Sequence, residues 1–493
     1  MMELFVLVVS AFLCSASPLS TPTAPRAAPP DQAVLNGTTF VNKGLVAFGL
    51  IPSNFTESTG DTLGGIGSGI ALKRGTFQKL SNSTFSGTFI VQPDRGFNID
   101  GTIDYQGRQQ EIDFVLQPYY GDADLNFSEA QETLQLQYQQ TLLYVDEFNN
   151  KTTGLDALGV QPAGGGFPVL PVPSEVFNHL SVDCEGLVLN ADGSFFMSDE
   201  YGPYIYSFSP SGHLLQAIQP PNAFLPFIDG TLNFTSETDP DTGRAANQGF
   251  EGLTASPDGN TIYALLQSAT IQDGGSSKST SRFTRMLAYD VSDSSSQSPP
   301  LIGEWVVPLP QSKKGNTLAQ SEVHFVSPNI FFVLARDGDG HGGDDNKSSY
   351  KQADLIDISS ATDIHNTVFD DPANPIAVDG VLNSSITPAQ YVSFVNFLDS
   401  DQLARFGLHN GKPADQTLIN AKWESLALAP CDDPDFPDDY FLFTASDNDF
   451  LSTQGSFDGQ SFDTGIDVDN QFMVFRVTLP SVPEGSVEQS IGI

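Results

Sequence analysis

Two stretches of the chain align without a gap through their first halves: CEGLVLNADGSFFMSDEYG from Cys184 and FEGLTASPDGNTIYALLQS from Phe250. In each, a Glu is followed seven residues later by Asp-Gly and then by a run rich in apolar and β-branched residues. That order predicts a strand, a tight turn and a second strand, so a hairpin is the repeating unit. Weaker copies are GSGIALKRGTF from Gly67, leading into FIVQPDRG, then SEVHFVSPNIFFVLARDGDG from Ser321 and WESLALAPCDDPDFPDDYFLFTASDND from Trp423. Further strand-like runs follow, such as TRMLAYDVS from Thr284 and QADLIDIS from Gln352, making each unit a four-stranded sheet. A chain of such units is all-β, and closing them into a ring as a β-propeller leaves few open strand edges.

Gly67, Glu185, Glu251, Glu322 and Glu424 are separated by 118, 66, 71 and 102 residues. The first interval has room for an extra unit around Gln109 to Asp146, which predicts six blades, with seven as the alternative. The strand GLVAFGL from Gly44 is expected to complete the last blade. Ser128 to Tyr144 and Pro388 to Phe406 read as short helices or long insertions, the latter inside a larger insertion between about Ser360 and Asn420. The expected organisation is a signal peptide over 1–16, a Pro-rich linker or pro-segment over 17–43, the propeller over 44–482 and a tail over 483–493.

The chain of 493 residues carries 39 % hydrophobic residues and 37 Phe, enough apolar surface for a large core despite a net charge of −39. With 60 acidic against 21 basic residues, its field repels polyphosphate backbones, which argues against a nucleic-acid partner; a small anionic substrate needs a local exception or a cation. An apolar run from Leu4 to Leu13, followed by Ser15 and Ala16, reads as a secretory signal, although Glu3 stands where a basic residue is usual. No second apolar run is long enough for a membrane span. Eight Asn-x-Ser/Thr sequons, at Asn36, Asn54, Asn82, Asn126, Asn150, Asn233, Asn346 and Asn383, fit a secreted glycoprotein. Removal of the signal takes Cys14 and leaves Cys184 and Cys431, either bridged or as two buried thiols. A monomer is expected.

The start of a propeller's first strand is innermost, so Glu185, Glu251, Glu322 and Glu424 should converge on the central channel. Clustered carboxylates raise one another's pKa or are neutralised by a cation, and oxygen ligands of this kind suit Ca²⁺. The alternative is that these glutamates accept backbone N–H bonds between blades. A second ring should follow the next strand, with Asp199 and Glu200, Arg336 and Asp337, Asp447 and Asn448, and Asp94 and Arg95 in matching places and Gln267 in the remaining unit. The loop RDGDGHGGDDN from Arg336 fits neither a dinucleotide turn, since Asp344 and Asp345 follow its glycines, nor an EF-hand, since position twelve is Ser348. A looser calcium site and a flexible acidic loop remain as readings. No nucleophile elbow, phosphate-binding loop or zinc motif is present. Of the six histidines only His324, two residues beyond Glu322 and on the same side of its strand, stands near the candidate site.

The stretches DCEGLVLNADGSFFMSDEYGPYIYSFSPSGHL, FEGLTASPDGNTIYALLQS and LARDGDGHGGDDNKSSYKQADLIDISSATDI resemble the phytase-like, esterase-like domain of secreted proteins over roughly Leu63 to Leu479. The resemblance implies a β-propeller that hydrolyses phosphate or other esters. The family's Glu-Arg-Asp appears here as Ala335-Arg336-Asp337, so no role is carried over to that glutamate. On this reading calcium at the channel mouth joins the acidic protein to a phosphate ester. The candidate metal ligands are Glu185, Asp199, Glu251, Glu322, Glu424 and Asp447. Arg95, Arg336 and Lys351 are candidate phosphate grips, and Glu200, with Arg95, Arg336 and Asp337, forms the candidate catalytic set. A calcium-dependent lactonase or carboxylesterase and a non-catalytic binding propeller are the rivals.

Overall fold

The computed structural model describes residues 31–80, 83–97, 101–294 and 296–493. The strands of the ring form five antiparallel blades. Blade 1 comprises Gly69–Leu72, Phe85–Gln92, Arg108–Leu116 and Leu134–Leu143, and blade 2 Cys184–Leu189, Phe195–Asp199, Ile205–Phe208 and Leu214–Ile218. Blade 3 is Phe250–Ala255, Thr261–Leu266, Phe283–Asp290 and Leu301–Pro308; blade 4 is Gln320–Ser327, Ile330–Arg336, Lys351–Asp357 and Gln390–Asn396. Blade 5 joins the two ends of the chain: Lys422–Pro430, Asp439–Asp447 and Asn470–Thr478 are followed outward by Thr38–Ile51 and then Asp31–Leu35. The first strands of neighbouring blades touch all the way round, from blade 1 through blade 5 and back to blade 1.

The count of five corrects the six expected. Residues 109–146 form no extra unit, because Arg108–Leu116 and Leu134–Leu143 are the third and fourth strands of blade 1. The segment from Ser128 contributes only a short helix, Phe127–Gln131, before turning into that fourth strand, and the segment from Pro388 supplies Gln390–Asn396 and the helix Ser400–Arg405. The expected closure by the strand from Gly44 holds, and it begins earlier. Asp31–Leu35 already pair with residues 38–42 in the sheet, so the chain enters the propeller at residue 31 rather than after a linker ending at 43. The expected tail contains a helix, Ser486–Ile491, whose Val487 and Ile491 are buried. It caps the channel end remote from the carboxylates, where Gly75 N donates to Ile491 O at 2.8 Å. A cavity of about 640 Å³, lined in part by Leu187, Leu253, Leu426, His324 and Ile491, lies at this end. The expected signal peptide lies outside the described residues.

Alternation builds the core. Within a strand, successive side chains point to opposite faces, and both faces of a blade are covered by neighbours. Phe89 therefore packs with Phe443 of blade 5 while Ile90 packs with Met197 of blade 2, and Phe331 and Phe332 divide likewise between blades 3 and 5. Each of the five interfaces has its own apolar cluster. Near the axis the blades come too close for ordinary side chains: a Cβ on Gly186 would lie 2.6 Å from Leu253 N, and one on Gly252 2.6 Å from Val323 N. This contact explains the Gly that follows Glu in the two clearest repeats.

Cys184 and Cys431 are both buried free thiols in different clusters, which corrects the bridged alternative. One opens an inner strand and the other follows the end of one. At about 3.3 Å per residue a nine-residue strand separates such ends by roughly 30 Å, far beyond disulfide reach. Unfolding without reductant should therefore expose two alkylatable thiols at Cys184 and Cys431; a peptide pair cross-linked through them in mass spectrometry would contradict this arrangement. Gly186→Val is expected to cost about 1–3 kcal/mol through overpacking, read as a lower melting temperature, and an unchanged melting curve would show that the blades are not in this contact.

Candidate active site at the channel mouth

Asp-Gly turns close the short first hairpins of blades 2 and 3 on one side of the ring, with Gly193 and Gly259 at φ +86° and +72°. The long connections, such as 93–107, 144–183, 337–350 and 448–469, leave from the opposite side, where each inner strand begins. The inner strands of blades 2 to 5 each carry a register shift near their Glu. In blades 2, 3 and 5 the shift includes Glu185, Glu251 and Glu424 themselves, and a bulge re-aims the side chain it contains. In blade 4 it falls one residue earlier, at Ser321, leaving Glu322 in register opposite Leu334. A one-residue slip changes the face, and Glu322 instead accepts Val323 N at 2.7 Å and Leu253 N at 3.1 Å.

Two groups of carboxylates form at the mouth, each with oxygens within 4.8 Å of one another: Asp183, Glu185 and Glu200, and Asp94, Asp447 and Asp449. Glu251 and Glu424 stand beside them. Gln267 Nε2 donates to Glu200 Oε1 at 3.1 Å and to Glu251 Oε1, and the Arg336 guanidinium pairs with Glu424. Arg95 lies 3.4 Å from Asp183 and also donates to Ser236 and Asn247. Lys422 contacts Asp447, reaches Asp449 at 2.8 Å, and lies 3.7 Å from Glu424 and 3.9 Å from Asp94. Burial pushes Glu185 and Glu200 well above the usual carboxylate range, with Glu251 adding repulsion to both, and raises Glu251 itself to about 8. Asp94 rises to about 7 by burial, against the pull of Lys422.

Other sequence candidates have structural partners. Asp199 is fully buried, and its two oxygens accept Asp183 N and Gly202 N, each at 2.7 Å, so it shapes the turn that presents Glu200. Asp337 accepts Ser348 Oγ, Ser349 N, Ser349 Oγ and Tyr350 N, closing its own loop instead of facing the channel. Lys351, with no exposed side chain, donates to Ala421 O and joins blade 4 to blade 5, so it is not a phosphate grip. Burial, reinforced by Arg336, lowers its pKa to about 7. His324 faces the remote cavity, and burial lowers it to about 4. Asp183, Asp449 and Lys422 were missed by sequence reasoning. The available signal was position, since Asp183 and Lys422 both stand two residues before the repeat's Glu. Among the sequons, Asn36, Asn54, Asn126 and Asn383 are exposed, Asn150, Asn233 and Asn346 are half-buried, and Asn82 lies outside the described residues.

Residues 63–450 match the family described as phytase-like, esterase-like activity of phytase, and the chain belongs to that family. A protein of Arthroderma benhamiae, called an uncharacterized secreted protein, is 40 % identical over 466 residues, covering 86 % of this chain and 90 % of its own. Among solved structures, a luciferin-regenerating enzyme is 12 % identical over 84 % of this chain and 92 % of its own, with a TM-score of 0.25. A putative 6-phosphogluconolactonase from Bacteroides uniformis is 12 % identical over 89 % and 95 %, with a TM-score of 0.27. At such scores the superposition is poor, and the five-blade architecture stands on the strand pairing itself.

The buried carboxyls set a sign for pH dependence. Glu251 keeps its proton to about pH 8 when folded but loses it around 4.5 when unfolded, so between these values the unfolded chain binds fewer protons. Its stabilising contribution is complete below pH 4.5 and is lost as pH rises through 8. In chelator, the melting temperature should fall by several degrees from pH 5 to pH 8, and Glu251→Gln should narrow that fall. A variant with the wild-type pH profile would show that Glu251 is not held protonated.

Proposed function

We propose that this is a secreted hydrolase of small phosphate esters, working at the channel mouth with a calcium ion held by Asp183, Glu185 and Glu200. The observation that carries the reading is a buried oxygen, Glu185 Oε2, which has no hydrogen-bond partner although its residue belongs to a converging carboxylate group beside Arg95. Burying a carboxylate without a partner is costly, and a hard cation with oxygen ligands relieves that cost. The family's esterase-like description supports hydrolysis. The apolar run from Leu4 to Leu13 and the relative called a secreted protein support secretion. No helix of the described residues is long and apolar enough to cross a membrane.

When bound, calcium supplies Lewis acidity toward a phosphoryl oxygen and offsets the charge of the substrate. Arg95 and Arg336, with side chains 15 % and 16 % exposed, are the guanidiniums within reach of an entering phosphate and bind its oxygens. Glu200, its Oε1 fixed by Gln267, takes the proton of the attacking water on its other oxygen and returns it to the alkoxide that leaves as the P–O bond breaks. Tyr201 O accepts from Arg244, which ties down the turn carrying Glu200. The partly apolar cavity farther along the channel favours one second reading, an uncharged ester or lactone.

Phosphate and acid release from phytate, p-nitrophenyl phosphate, p-nitrophenyl acetate and a lactone, with calcium and with chelator, tests both readings. Calcium-dependent phosphate release is expected, abolished in Glu185→Gln and reduced about 10²–10⁴-fold in Glu200→Gln. Acid release from the acetate or lactone alone would transfer the assignment to the second reading. No release from any substrate by a folded, calcium-supplied protein would sink the hydrolase.

A further inference from the structure

Each of the two groups at the mouth gathers three carboxylates with oxygens within 4.8 Å of one another, and the groups differ in what fills them. In the Asp94, Asp447 and Asp449 group, the Lys422 ammonium contacts two members and lies 3.9 Å from the third, with Glu424 at 3.7 Å. A compact point charge with three donors, surrounded in this way, provides the neutralisation that a bound cation would provide. In the Asp183, Glu185 and Glu200 group there is no such occupant. Arg95 reaches only Asp183, and its guanidinium is also held by Ser236 and Asn247. Glu185 is 5 % exposed and neighbouring Glu251 is 4 % exposed, yet Oε2 of each is buried without a partner.

The repeat explains the difference. Two residues before the Glu of the inner strand stands Asp183 in blade 2 and Lys422 in blade 5, so one position carries a carboxylate in one blade and an ammonium in the other. Lys422 faces Asp447 directly across the first hairpin of blade 5, as Asp183 and Glu200 meet across that of blade 2, where Glu200 N donates to Asp183 O at 3.1 Å. Lysine at this place reaches into the group formed with the loop after blade 1's second strand, where Asp94 lies. Aspartate at the equivalent place adds a ligand to its own group.

Resting on the proposed cation site, we infer that the mouth takes one divalent cation and not two: Asp183, Glu185 and Glu200 hold it, while Lys422 fills the Asp94, Asp447 and Asp449 group as a resident cation that excludes a second. The hydrolase is therefore a single-metal enzyme in which a lysine stands where a second metal would otherwise bind.

Equilibrium dialysis with radioactive calcium on the whole folded protein tests this by counting ions. The wild type is expected to bind one, Glu185→Gln none, Lys422→Met two, and Lys422→Met combined with Glu185→Gln one. Lys422→Arg, which keeps the charge, should return the count to one. Should Lys422→Met fail to fold, Asp449→Asn serves instead: its count should stay at one with unchanged affinity, and a count of zero would overturn the inference. Two ions on the wild type, or one on a folded Lys422→Met, would overturn the inference while leaving the proposed cation-dependent hydrolase intact. No ion on the wild type would overturn both.

Discussion

The pairing of Thr38–Ile51 with Asn470–Thr478 turns five sheets into a ring. Without it blade 5 would lack its outer strands, and Ala47 and Phe48, now packed into two different interblade clusters, would face water. Closure also fixes the distance between inner strands. That distance is short enough that Gly69, Gly186 and Gly252 meet backbone atoms of the next blade, and it places a row of acidic side chains in a narrow, desolvated space. Side chains of one blade then bond to the backbone at the next blade's Glu: Gln92 Nε2 donates to Glu185 O at 2.7 Å and Ser198 Oγ to Glu251 O at 3.2 Å.

The electrostatics of the mouth follow from that crowding. Eight carboxylates, Asp94, Asp183, Glu185, Glu200, Glu251, Glu424, Asp447 and Asp449, meet three cationic side chains, Arg95, Arg336 and Lys422. Where a cation sits among acids, as Lys422 does, the charges are balanced locally. Where it does not, protonation or a bound ion has to supply the balance, since an isolated buried carboxylate is far costlier than either. Structural carboxylates of the same strands escape by another route. Asp199, Asp337 and Glu322 accept two or more N–H or O–H donors and are thereby removed from the candidate site, although the repeat places them at positions equivalent to those of the clustered carboxylates.

Much of the fold was legible because its signals are local. The Asp-Gly turns of the clearest repeats, the paired apolar faces and the terminal strand that completes the last blade all rest on short-range chemistry. The blade count was misread because the weakest repeat, from Gly67, carries a long interval between its second and third strands, at 93–107, and another before Cys184, at 144–183. Spacing alone could not distinguish long loops from an added blade. Reading the glutamates as one ring failed for a similar reason. The register shift in blade 4 lies one residue earlier than in blades 3 and 5, and in a strand of period two that displacement sends Glu322 to a backbone partner.

The sequence by itself determined an all-β chain of repeated hairpins, an acidic molecule unsuited to polyanion surfaces, and a Glu near the start of each of four inner strands. These follow from residue periodicity, turn chemistry and charge, which act within a few positions. Only the tertiary structure decided that there are five blades, that Asp183 joins Glu185 and Glu200, and that Lys422 enters the other carboxylate group. Those outcomes depend on which strands of distant blades lie side by side and on where each bulge falls, and both are settled by packing across the ring.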